Sequence, residues 1–354
     1  MKTGQSGPTV ISPVPRAEWE VALKSDGNAM VTQSLPWRDA LFASGHFRDV
    51  SRLYEFPNGR RIVLPLGQRR LWRGGVGQAS SWPKPWAVGG PICQDGRVSQ
   101  TEAAAVLADV AHYKALAVEI KFRHDADEAW LSASSRFQVS RIQDWILDLG
   151  EGFEDVWRRR FRASTRETIR RAERSGFEIE VDRTARLLDD FYGLHEKSVL
   201  RWAAMQNAPA WLTRARLAPE VAPLRLKSLA DCFGPDFAIW LARLHGQPVA
   251  AVVAVRAGGY VKYIWSAMDK ENPGSARAPE LLHKLVIEEA CEQGYRWYDL
   301  GGARPDSSLG AYKRKFGATM VYRHTLRMER VPIHATAKAA RLVAKKLIGF
   351  RDNV

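Results

Sequence analysis

Long apolar runs separated by glycine turns mark the second half of the chain as rich in strands. Three such runs follow one another at residues 237–244, 248–257 and 260–268. Apolar runs of this length between turn signals predict a meander of antiparallel strands. In the first half, Pro57-Asn58-Gly59 separates two shorter strand-like runs and predicts a hairpin.

Apolar residues with helical spacing predict helices on both sides of these runs. The predicted helices cover residues 33–42, 101–117, 185–204, 223–233, 279–293 and 308–315. A strongly basic helix is predicted to end near Gly176. Thr101 is the predicted N-cap of the helix at residues 101–117. The remaining predicted strands cover residues 118–122, 177–181, 296–302 and 319–328.

The composition of the sequence changes near residue 150, where Gly150-Glu151-Gly152 precedes a stretch rich in basic residues. We therefore predict two modules, at residues 16–150 and 151–330, with the boundary between them at this point. Residues 1–15 contain Gly, Ser and three prolines, which predicts a flexible lead-in. Residues 331–354 have an amphipathic basic pattern, which predicts a C-terminal helix that packs back on the first module.

The two halves of the chain share a short pattern of spaced residues. Gly59 is followed by apolar residues at positions +3 and +7 and by arginine at +10, and Gly246 is followed by the same types at the same offsets. Two explanations stay open: a chance match, or the duplication of one α/β module.

Composition narrows the class of protein. The chain has 354 residues, of which 45% are hydrophobic and 26% charged, which is typical of a folded globular protein. Its three cysteines are too few for a disulfide framework and show no CxxC spacing, which favours a reducing, cytoplasmic compartment. We expect neither a signal peptide nor a membrane span, since no stretch reaches the ~18 apolar residues that a span requires.

The net charge of +14 is the first indication of a binding partner. An excess of Lys and Arg favours polyanions: nucleic acid, a phosphorylated substrate or an anionic membrane surface. The alternative is an arginine-rich organism whose proteins are basic through genome composition. The chain lacks the GxSxG, Walker A and HExxH motifs, and its histidines show no metal-ligand spacing, so no metal site is expected.

Five motifs in the second half resemble a known family in their order and spacing. They are residues 165–172 with Gly176, Phe191-Tyr192 with Arg201, residues 278–282, Tyr298-Asp299-Leu300-Gly301-Gly302, and Tyr312-Lys313-Arg314-Lys315-Phe316-Gly317. The last two are similar to the YDFGG and FKxxFG motifs of the FemA/FemB/FemX-like peptidyltransferases. Those enzymes and the related BioF2-like acyltransferases have the GNAT acetyltransferase fold. The resemblance covers residues 165–330 well and residues 30–120 more faintly.

The resemblance implies an α/β fold with two tandem GNAT-like modules, each a mixed central sheet flanked by helices, followed by a C-terminal helix. The N-terminal module then serves the acceptor and the C-terminal module serves the acyl donor. The implied enzyme is a monomeric aminoacyltransferase without a bound cofactor. It transfers an aminoacyl group from aminoacyl-tRNA to an amine acceptor, which is a cell-wall precursor or a natural-product intermediate and in this family is often phosphorylated.

The acyl donor is indicated by one loop. Acyl-CoA enzymes of the GNAT fold bind pyrophosphate at a helix N-terminus through a Q/R-x-x-G-x-G/A loop. The corresponding residues 271–279 lack the leading Gln or Arg, and Pro273 and Pro279 remove two N–H donors. The loop favours aminoacyl-tRNA. An acyl-CoA- or acyl-carrier-protein-dependent N-acyltransferase and a non-catalytic basic RNA-binding module remain as alternatives.

The resemblance also assigns candidate catalytic residues. Lys313 is expected to stabilise the tetrahedral oxyanion, and the alternative is that it is one of three cations on a solvated helix. Asp299 has two interpretations: it orients the substrate amine or accepts its proton, or it caps the Gly301-Gly302 turn through an Asx bond. Arg38 and Arg201 correspond to positions that bind acceptor phosphates in the family, and the alternative is surface arginines.

Two further groups complete the candidate site. The expected additional substrate-binding residues are Tyr298, Gly301, Gly302, Tyr312 and Phe316. The expected RNA-binding residues are Arg166, Arg170, Arg171, Arg314 and Lys315, for which a solvated basic face is the alternative.

Overall fold

The computed structural model describes residues 7–69, 77–219, 221–272 and 277–332, together with residues 336, 342, 343, 345 and 350. The chain forms two compact units. Unit 1 comprises Met1–Ile142 and Tyr322–Ala339, and unit 2 comprises Gln143–Val321 and Ala340–Val354. None of the described helices is both long enough and apolar enough to span a membrane.

The chain passes from one unit to the other at points that differ from the predicted boundaries at 150/151 and 330/331. One change lies between Ile142 and Gln143 and the other between Val321 and Tyr322, each inside a strand. A boundary inside a strand leaves no linker whose composition would reveal it. The predicted C-terminal helix at 331–354 falls largely outside the described residues.

The predicted flexible lead-in is wrong for the part of it that the structure describes. Thr9–Ile11 form a strand that pairs with Leu53–Glu55, and Val14 is buried, with its N–H donating to Ser51 Oγ at 3.1 Å. Residues 1–6 of the lead-in lie outside the described residues. Pairing with Leu53–Glu55 therefore gives this segment a regular strand, although the nearby prolines predict turns.

Unit 1 has short strands and four helices in its N-terminal part. The strands are β1 (Thr9–Ile11), β2 (Phe47–Asp49), β3 (Arg52–Glu55), β4 (Arg61–Leu64), β5 (Gly67–Arg69), β6 (Ala79–Ser80), β7 (Ile92–Cys93) and β8 (Ala117–Lys121). The helices are α1 (Arg16–Ser25), α2 (Leu35–Ala43), α3 (Gln100–His112) and α4 (Ala129–Ser132). One sheet has the order β1-β3-β4-β7, and a second has β8-β6-β5-β2, with β6 and β8 parallel. The predicted hairpin is the antiparallel pair β3–β4.

The N-cap of α3 is Ser99 and not the predicted Thr101. Ser99 Oγ accepts the Glu102 N–H at 3.2 Å, and Glu102 Oε2 accepts the Ser99 N–H at 2.8 Å. This reciprocal capping box satisfies two backbone donors at once, which a threonine at 101 followed by alanine at 104 cannot do.

Unit 2 alternates strands and longer helices, with the strand β9 (Gln138–Asp148) shared between the units. The other strands are β10 (Glu178–Asp182), β11 (Phe237–Leu244), β12 (Gln247–Ala257), β13 (Tyr260–Met268), β14 (Trp297–Gly302) and the shared β15 (Thr319–Glu329). The helices are α5 (Phe153–Asp155), α6 (Ala163–Glu173), α7 (Leu188–Met205), α8 (Ala210–Leu217), α9 (Pro223–Phe233), α10 (Ala278–Glu292) and α11 (Ser308–Arg314). Within unit 2 the strand order is β10-β11-β12-β13-β14-β9. The β11–β13 meander predicted from the apolar runs is confirmed.

Helices cover both faces of this sheet. Ala250, Val252 and Ala254 of β12 share a hydrophobic core with α6 and α10, and we call this side the α10 face. The alternate residues of β12, Val253 among them, are equally buried on the opposite side, where α7 packs, and we call it the α7 face. Burial on both faces explains why the strands are continuous apolar runs and do not alternate.

The parallel strands β13 and β14 pair for only three residues. Tyr260, Val261 and Lys262 lie opposite Trp297, Tyr298 and Asp299, and among the described residues no pairing continues beyond Lys262 and Asp299. β13 runs on to Met268 and β14 to Gly302. We call the space between these separated ends the strand opening.

A register irregularity in each strand coincides with the strand opening. Tyr263 lies opposite Ala254 and Trp265 opposite Val253, so Ile264 is an extra residue in β13 relative to β12. Successive strand residues alternate between faces, so Tyr263 and Trp265 would otherwise share one. The bulge instead places Tyr263 on the α10 face and Trp265 on the α7 face. β14 has a similar shift against β9, between Asp299 and Gly301.

Candidate active site in unit 2

Lys313 lies at the strand opening and is buried. The helix α11 that carries it begins at Ser307, whose Oγ accepts the Gly310 N–H at 3.1 Å. Lys313 is only 3% exposed, and its Nζ donates to the carbonyl oxygens of Gly301 and Gly302, each at 2.9 Å. The alternative of a solvated surface cation is therefore wrong. An ammonium group has three N–H donors, so one remains for another acceptor.

Burial governs the charge of Lys313. Loss of water lowers its pKa from the usual 10.5 to about 8, while the carboxylates of Asp144 and Asp299 act in the opposite direction and Lys262 lowers it further. The group is therefore still mainly an ammonium at neutral pH, but it titrates within an accessible pH range.

Asp299 is fixed on both of its oxygens. Oδ1 accepts the Gly301 N–H at 2.8 Å, and Oδ2 accepts from Lys262 Nζ at 2.9 Å. The first contact is the Asx cap that the sequence offered as one interpretation, and it supports the positive φ of +70° at Gly301. A Cβ at Gly302 would lie 3.3 Å from Asp144 Oδ1, so glycine also keeps this turn close to β9.

His283 of α10 is the centre of an aromatic cluster behind the turn. Its Nδ1 shares a hydrogen bond of 2.8 Å with the Tyr298 hydroxyl, and its ring centroid lies 5.3 Å from both Tyr263 and Phe316 and 5.8 Å from Tyr312. Burial, aided by the charges of Lys315 and Lys313, lowers the pKa of His283 from 6.5 to about 3, so the imidazole is neutral.

The predicted substrate-binding aromatic residues differ in their surroundings. Tyr298 and Phe316 are completely buried, so they support the site from behind. Tyr312 has a buried hydroxyl that finds no hydrogen-bond partner among the described residues. The structure thus brings Lys313, Asp299, Tyr298, Gly301, Gly302, Tyr312 and Phe316 together, as the motif spacing implied.

The two arginines predicted to bind acceptor phosphates lie in different units. Arg201, on α7 of unit 2, is half-buried beside the Trp202 ring, and its Nη1 donates to the Met268 carbonyl at 3.2 Å. Burial lowers its pKa, and Arg201 forms no ion pair with any described residue. Arg38, in unit 1, pairs with Asp49 Oδ2 at 2.7 Å and is therefore already neutralised.

The α6 arginines have distinct local roles. Arg166 Nη1 donates to the carbonyl oxygens of Trp157, Arg158 and Phe161, at 3.3, 3.1 and 2.6 Å, and so holds the π-helical turn that precedes α6. Arg171 forms an exposed pair with Glu167, and Arg170 lies 5.9 Å from the Trp157 ring. Contact of these residues with RNA remains a prediction.

The cations beside Lys313 are also engaged. Arg314 Nη2 donates to the Pro305 carbonyl at 2.8 Å, and its guanidinium lies 5.4 Å from the Trp145 ring. Lys315 pairs with Glu280 in the first turn of α10 and lies 4.2 Å from the Tyr312 ring.

Sequence reasoning missed Lys262 and His283. The single lysine inside the apolar run 260–268 indicates a buried ion pair, because a lone charge in a strand buried on both faces requires a partner. His283 has no comparable signal, since its role depends on the hydrogen bond to Tyr298.

Comparison with known proteins supports the fold. Residues 159–314 match the model of the acetyltransferase (GNAT) domain family. The crystal structure of FemX is 14% identical, covers 89% of this chain and 96% of its own, and has a TM-score of 0.56. The C-terminal domain of a putative lysylphosphatidylglycerol synthetase from Agrobacterium fabrum is 13% identical, with coverages of 96% and 98% and a TM-score of 0.53.

A conserved protein of unknown function from Bacteroides thetaiotaomicron is 11% identical, with coverages of 89% and 98% and a TM-score of 0.56. No curated protein matches the sequence. At such identities the similar structures show the fold alone. Residues 159–314, which match the GNAT acetyltransferase family model, include the strand opening and Lys313, and the chain has a GNAT-like mixed α/β fold.

Proposed function

We propose that the protein is an acyltransferase that joins an aminoacyl group from aminoacyl-tRNA to an amine acceptor at the strand opening. The observation that carries this proposal is the buried ammonium of Lys313, anchored on the Gly301 and Gly302 carbonyls, with one N–H that no described residue accepts. Such a fixed donor in a water-poor site suits the stabilisation of a developing oxyanion.

The reaction requires the protein to position the two substrates and to stabilise the negative charge that develops on the carbonyl oxygen. The amine nitrogen attacks the ester carbonyl carbon, the C–N bond forms and the C–O bond to the tRNA ribose breaks. The amine gives up a proton and the ribose oxygen gains one. Because the ester is already activated, no covalent enzyme intermediate is needed. Positioning supplies about 7–11 kcal/mol in favourable cases, and one aligned oxyanion donor about 3–4 kcal/mol.

The start of α10 does not fit the pyrophosphate of CoA. A helix N-terminus attracts phosphate through free N–H groups and its positive dipole end. Here Pro279 has no N–H, and the buried carboxylate of Glu280 lies in the first turn, paired with Lys315. The first turn thus lacks one N–H donor and already has a carboxylate at the positive end of the helix dipole, which favours a donor other than acyl-CoA. Residues 273–276 of the loop lie outside the described residues.

Charge and comparison agree with an aminoacyl-tRNA donor. The net charge of +14 suits a ligand that must contact several phosphates. One of the similar structures is the C-terminal domain of a putative lysylphosphatidylglycerol synthetase. The product in that name combines an amino acid and a lipid. In this proposal Arg170 and Arg171 contact the RNA backbone. Arg201, which forms no ion pair with a described residue, binds an anionic group of the acceptor.

Transfer of radiolabelled amino acids from charged tRNA tests the proposal directly. We expect RNase-sensitive incorporation of label into an amine acceptor by the full chain. Activity that survives RNase and depends on an acyl-CoA thioester would show that the donor is wrong while leaving an acyltransferase. Absence of transfer from both donors would favour the non-catalytic RNA-binding alternative.

Lys121 offers a matched control for Lys313. It is also a buried lysine, but Nζ contacts the carbonyls of Trp82 and Ala87, at 2.7 and 3.4 Å, and Glu119 Oε1 at 3.3 Å, so its donors are all used. Lys313→Met is expected to slow transfer about 10²–10³-fold, the effect of losing one oxyanion donor. Lys121→Met removes a buried ammonium of unit 1 and is expected to retain transfer.

A further inference from the structure

Helix α7 carries an aromatic patch that the proposed oxyanion chemistry does not use. The ring centroid of His195 lies 6.3 Å from Trp202 and 5.9 Å from Trp265. The two tryptophan rings meet edge to face at 6.4 Å. Phe191 closes the cluster from the other side, stacked on His195 at 6.1 Å. We call His195, Trp202 and Trp265 the α7 patch.

Two polar atoms of the α7 patch are buried without a partner. Neither His195 Nε2 nor Trp265 Nε1 has a hydrogen-bond partner among the described residues. The whole His195 side chain is nearly inaccessible, with 8% of the residue exposed. Folded proteins pair the great majority of buried polar atoms. Two orphaned nitrogens on rings in contact therefore point to a ligand that supplies the missing acceptor.

The location of the α7 patch is favourable for a ligand of the strand opening. Trp265 lies three residues beyond Lys262, the last β13 residue that pairs with β14, so it belongs to the part of β13 that borders the strand opening. The helix is held firmly against this strand, because Ser198 Oγ bonds both the N–H and the carbonyl of Met268, at 3.3 and 3.2 Å. These bonds fix the backbones of α7 and β13 relative to each other, so a ligand needs only to displace side chains of the patch.

The chemistry of the two nitrogens selects an uncharged oxygen. Trp265 Nε1–H is a donor only, and His195 is neutral because burial lowers its pKa. Neither group brings a charge, and an ionic ligand group would be poorly solvated between the rings. A carbonyl oxygen has two lone pairs and can accept from both nitrogens at once when the neutral His195 ring carries its proton on Nε2. The flat amide to which such an oxygen belongs also suits the surrounding aromatic faces.

We propose that the α7 patch binds an amide carbonyl of the amine acceptor, with Trp265 Nε1–H and His195 Nε2–H both donating to its oxygen. The identification of the ligand as the acceptor rests on the proposed function, and the proposal deepens it by specifying an amide-bearing amine. Arg201 lies at the outer side of Trp202 and is left for an anionic group of the same ligand.

The test measures binding alone and therefore stays separate from catalysis. The full chain is labelled with ¹⁵N-tryptophan, and the indole N–H resonance that disappears in Trp265→Phe is assigned to Trp265. The protein is titrated with L-alaninamide, which has a primary amine and an amide carbonyl, and with sec-butylamine, which has the amine and a similar shape but no carbonyl. Trp211, exposed on α8, supplies a reference resonance through Trp211→Phe.

We expect L-alaninamide to move the Trp265 resonance downfield while sec-butylamine and the Trp211 resonance show no such effect. His195→Phe, which keeps an aromatic ring, should weaken the apparent affinity about fivefold, as expected for one neutral hydrogen bond. The proposal is overturned if the Trp265 resonance stays in place with L-alaninamide, or moves equally with both amines. Failure of aminoacyl transfer with a positive titration would instead count against the proposed function.

Discussion

Lys262 Nζ lies 2.9 Å from Asp299 Oδ2 at the last residue pair that β13 and β14 share. The pair is almost wholly inaccessible, and it stands where two hydrogen-bonded strands become two separate ones. The two opposite charges stabilise each other in a water-poor interior, and Asp299 connects the pair to the Gly301 turn on which Lys313 is anchored.

Breaking this pair should destabilise the protein strongly. Asp299→Asn keeps an oxygen for the Gly301 N–H but leaves the Lys262 ammonium buried without its counter-charge. Removal of one partner from a buried pair typically destabilises by about 3–5 kcal/mol. Urea unfolding of the variant and the wild type measures the difference.

The double variant Lys262→Met with Asp299→Asn is the control for this prediction. It removes both charges, so its loss of stability should be smaller than that of Asp299→Asn alone. A loss for Asp299→Asn below about 1 kcal/mol, the range of exposed pairs, would show that the pair is solvated.

Loss of the Lys313 ammonium should act mainly on the chemical step. Lys313→Met is expected to reduce the single-turnover rate about 10²–10³-fold, the effect of one oxyanion donor. Lys121→Met should leave that rate within a few-fold of the wild type. Equal rates for Lys313→Met and wild type would remove Lys313 from the reaction.

The acyl-transfer rate should depend on the protonation of Lys313. Burial lowers the Lys313 pKa to about 8, so its ammonium form declines as pH rises through that value. Because deprotonation of the acceptor amine has the opposite effect, the informative quantity is the rate of wild type relative to Lys313→Arg, which stays charged. This ratio should fall above pH 8, and a ratio independent of pH would contradict a titrating Lys313.

The same shift predicts a stability difference. Between pH 8 and the usual 10.5, the unfolded chain binds more protons at Lys313 than the folded chain does. The free energy of unfolding of wild type relative to Lys313→Met should therefore rise across this range. Chemical denaturation at both ends of the range measures it, and a fall would mean that the folded-state pKa is raised.

His283 should make the protein acid-sensitive. Its pKa is lowered from 6.5 to about 3 by burial, so below pH 6.5 the unfolded state takes up a proton that the folded state excludes. Stability relative to His283→Gln should fall as pH decreases from 6.5 towards 3. Thermal unfolding of both proteins at a series of pH values provides the comparison, and parallel curves would refute the prediction.

Segments with a strong local pattern were predictable from the sequence. The helix over 223–233 and the three strands from Phe237 to Met268 agree with their predicted bounds almost residue for residue. Several elements were missed, among them α1, β9 and α8. The first half of β9 is polar and exposed, and α8 is short, with only Thr213 buried. Neither has an apolar period from which a window of sequence would detect it.

The site was predictable only where one motif carries it. The Tyr298–Gly302 and Tyr312–Gly317 motifs named Gly301, Gly302 and Lys313 as candidates, and the structure shows that these residues are in contact. The role of Lys313 stays a prediction. Lys262 is separated by 37 residues from Asp299, and their contact follows from strand register. The bulge at Ile264 places Tyr263 and Trp265 on opposite faces, and no glycine or turn residue in the sequence indicates it.

The bulge is one surplus residue in β13, and the strand pairing does not depend on it. Deletion of Ile264 would leave Tyr263 opposite Ala254 and Trp265 opposite Val253. Because adjacent strand residues alternate between faces, each ring would keep its present side of the sheet. Loss of this single codon should therefore remove the local kink and extra twist of β13 while its register with β12 persists.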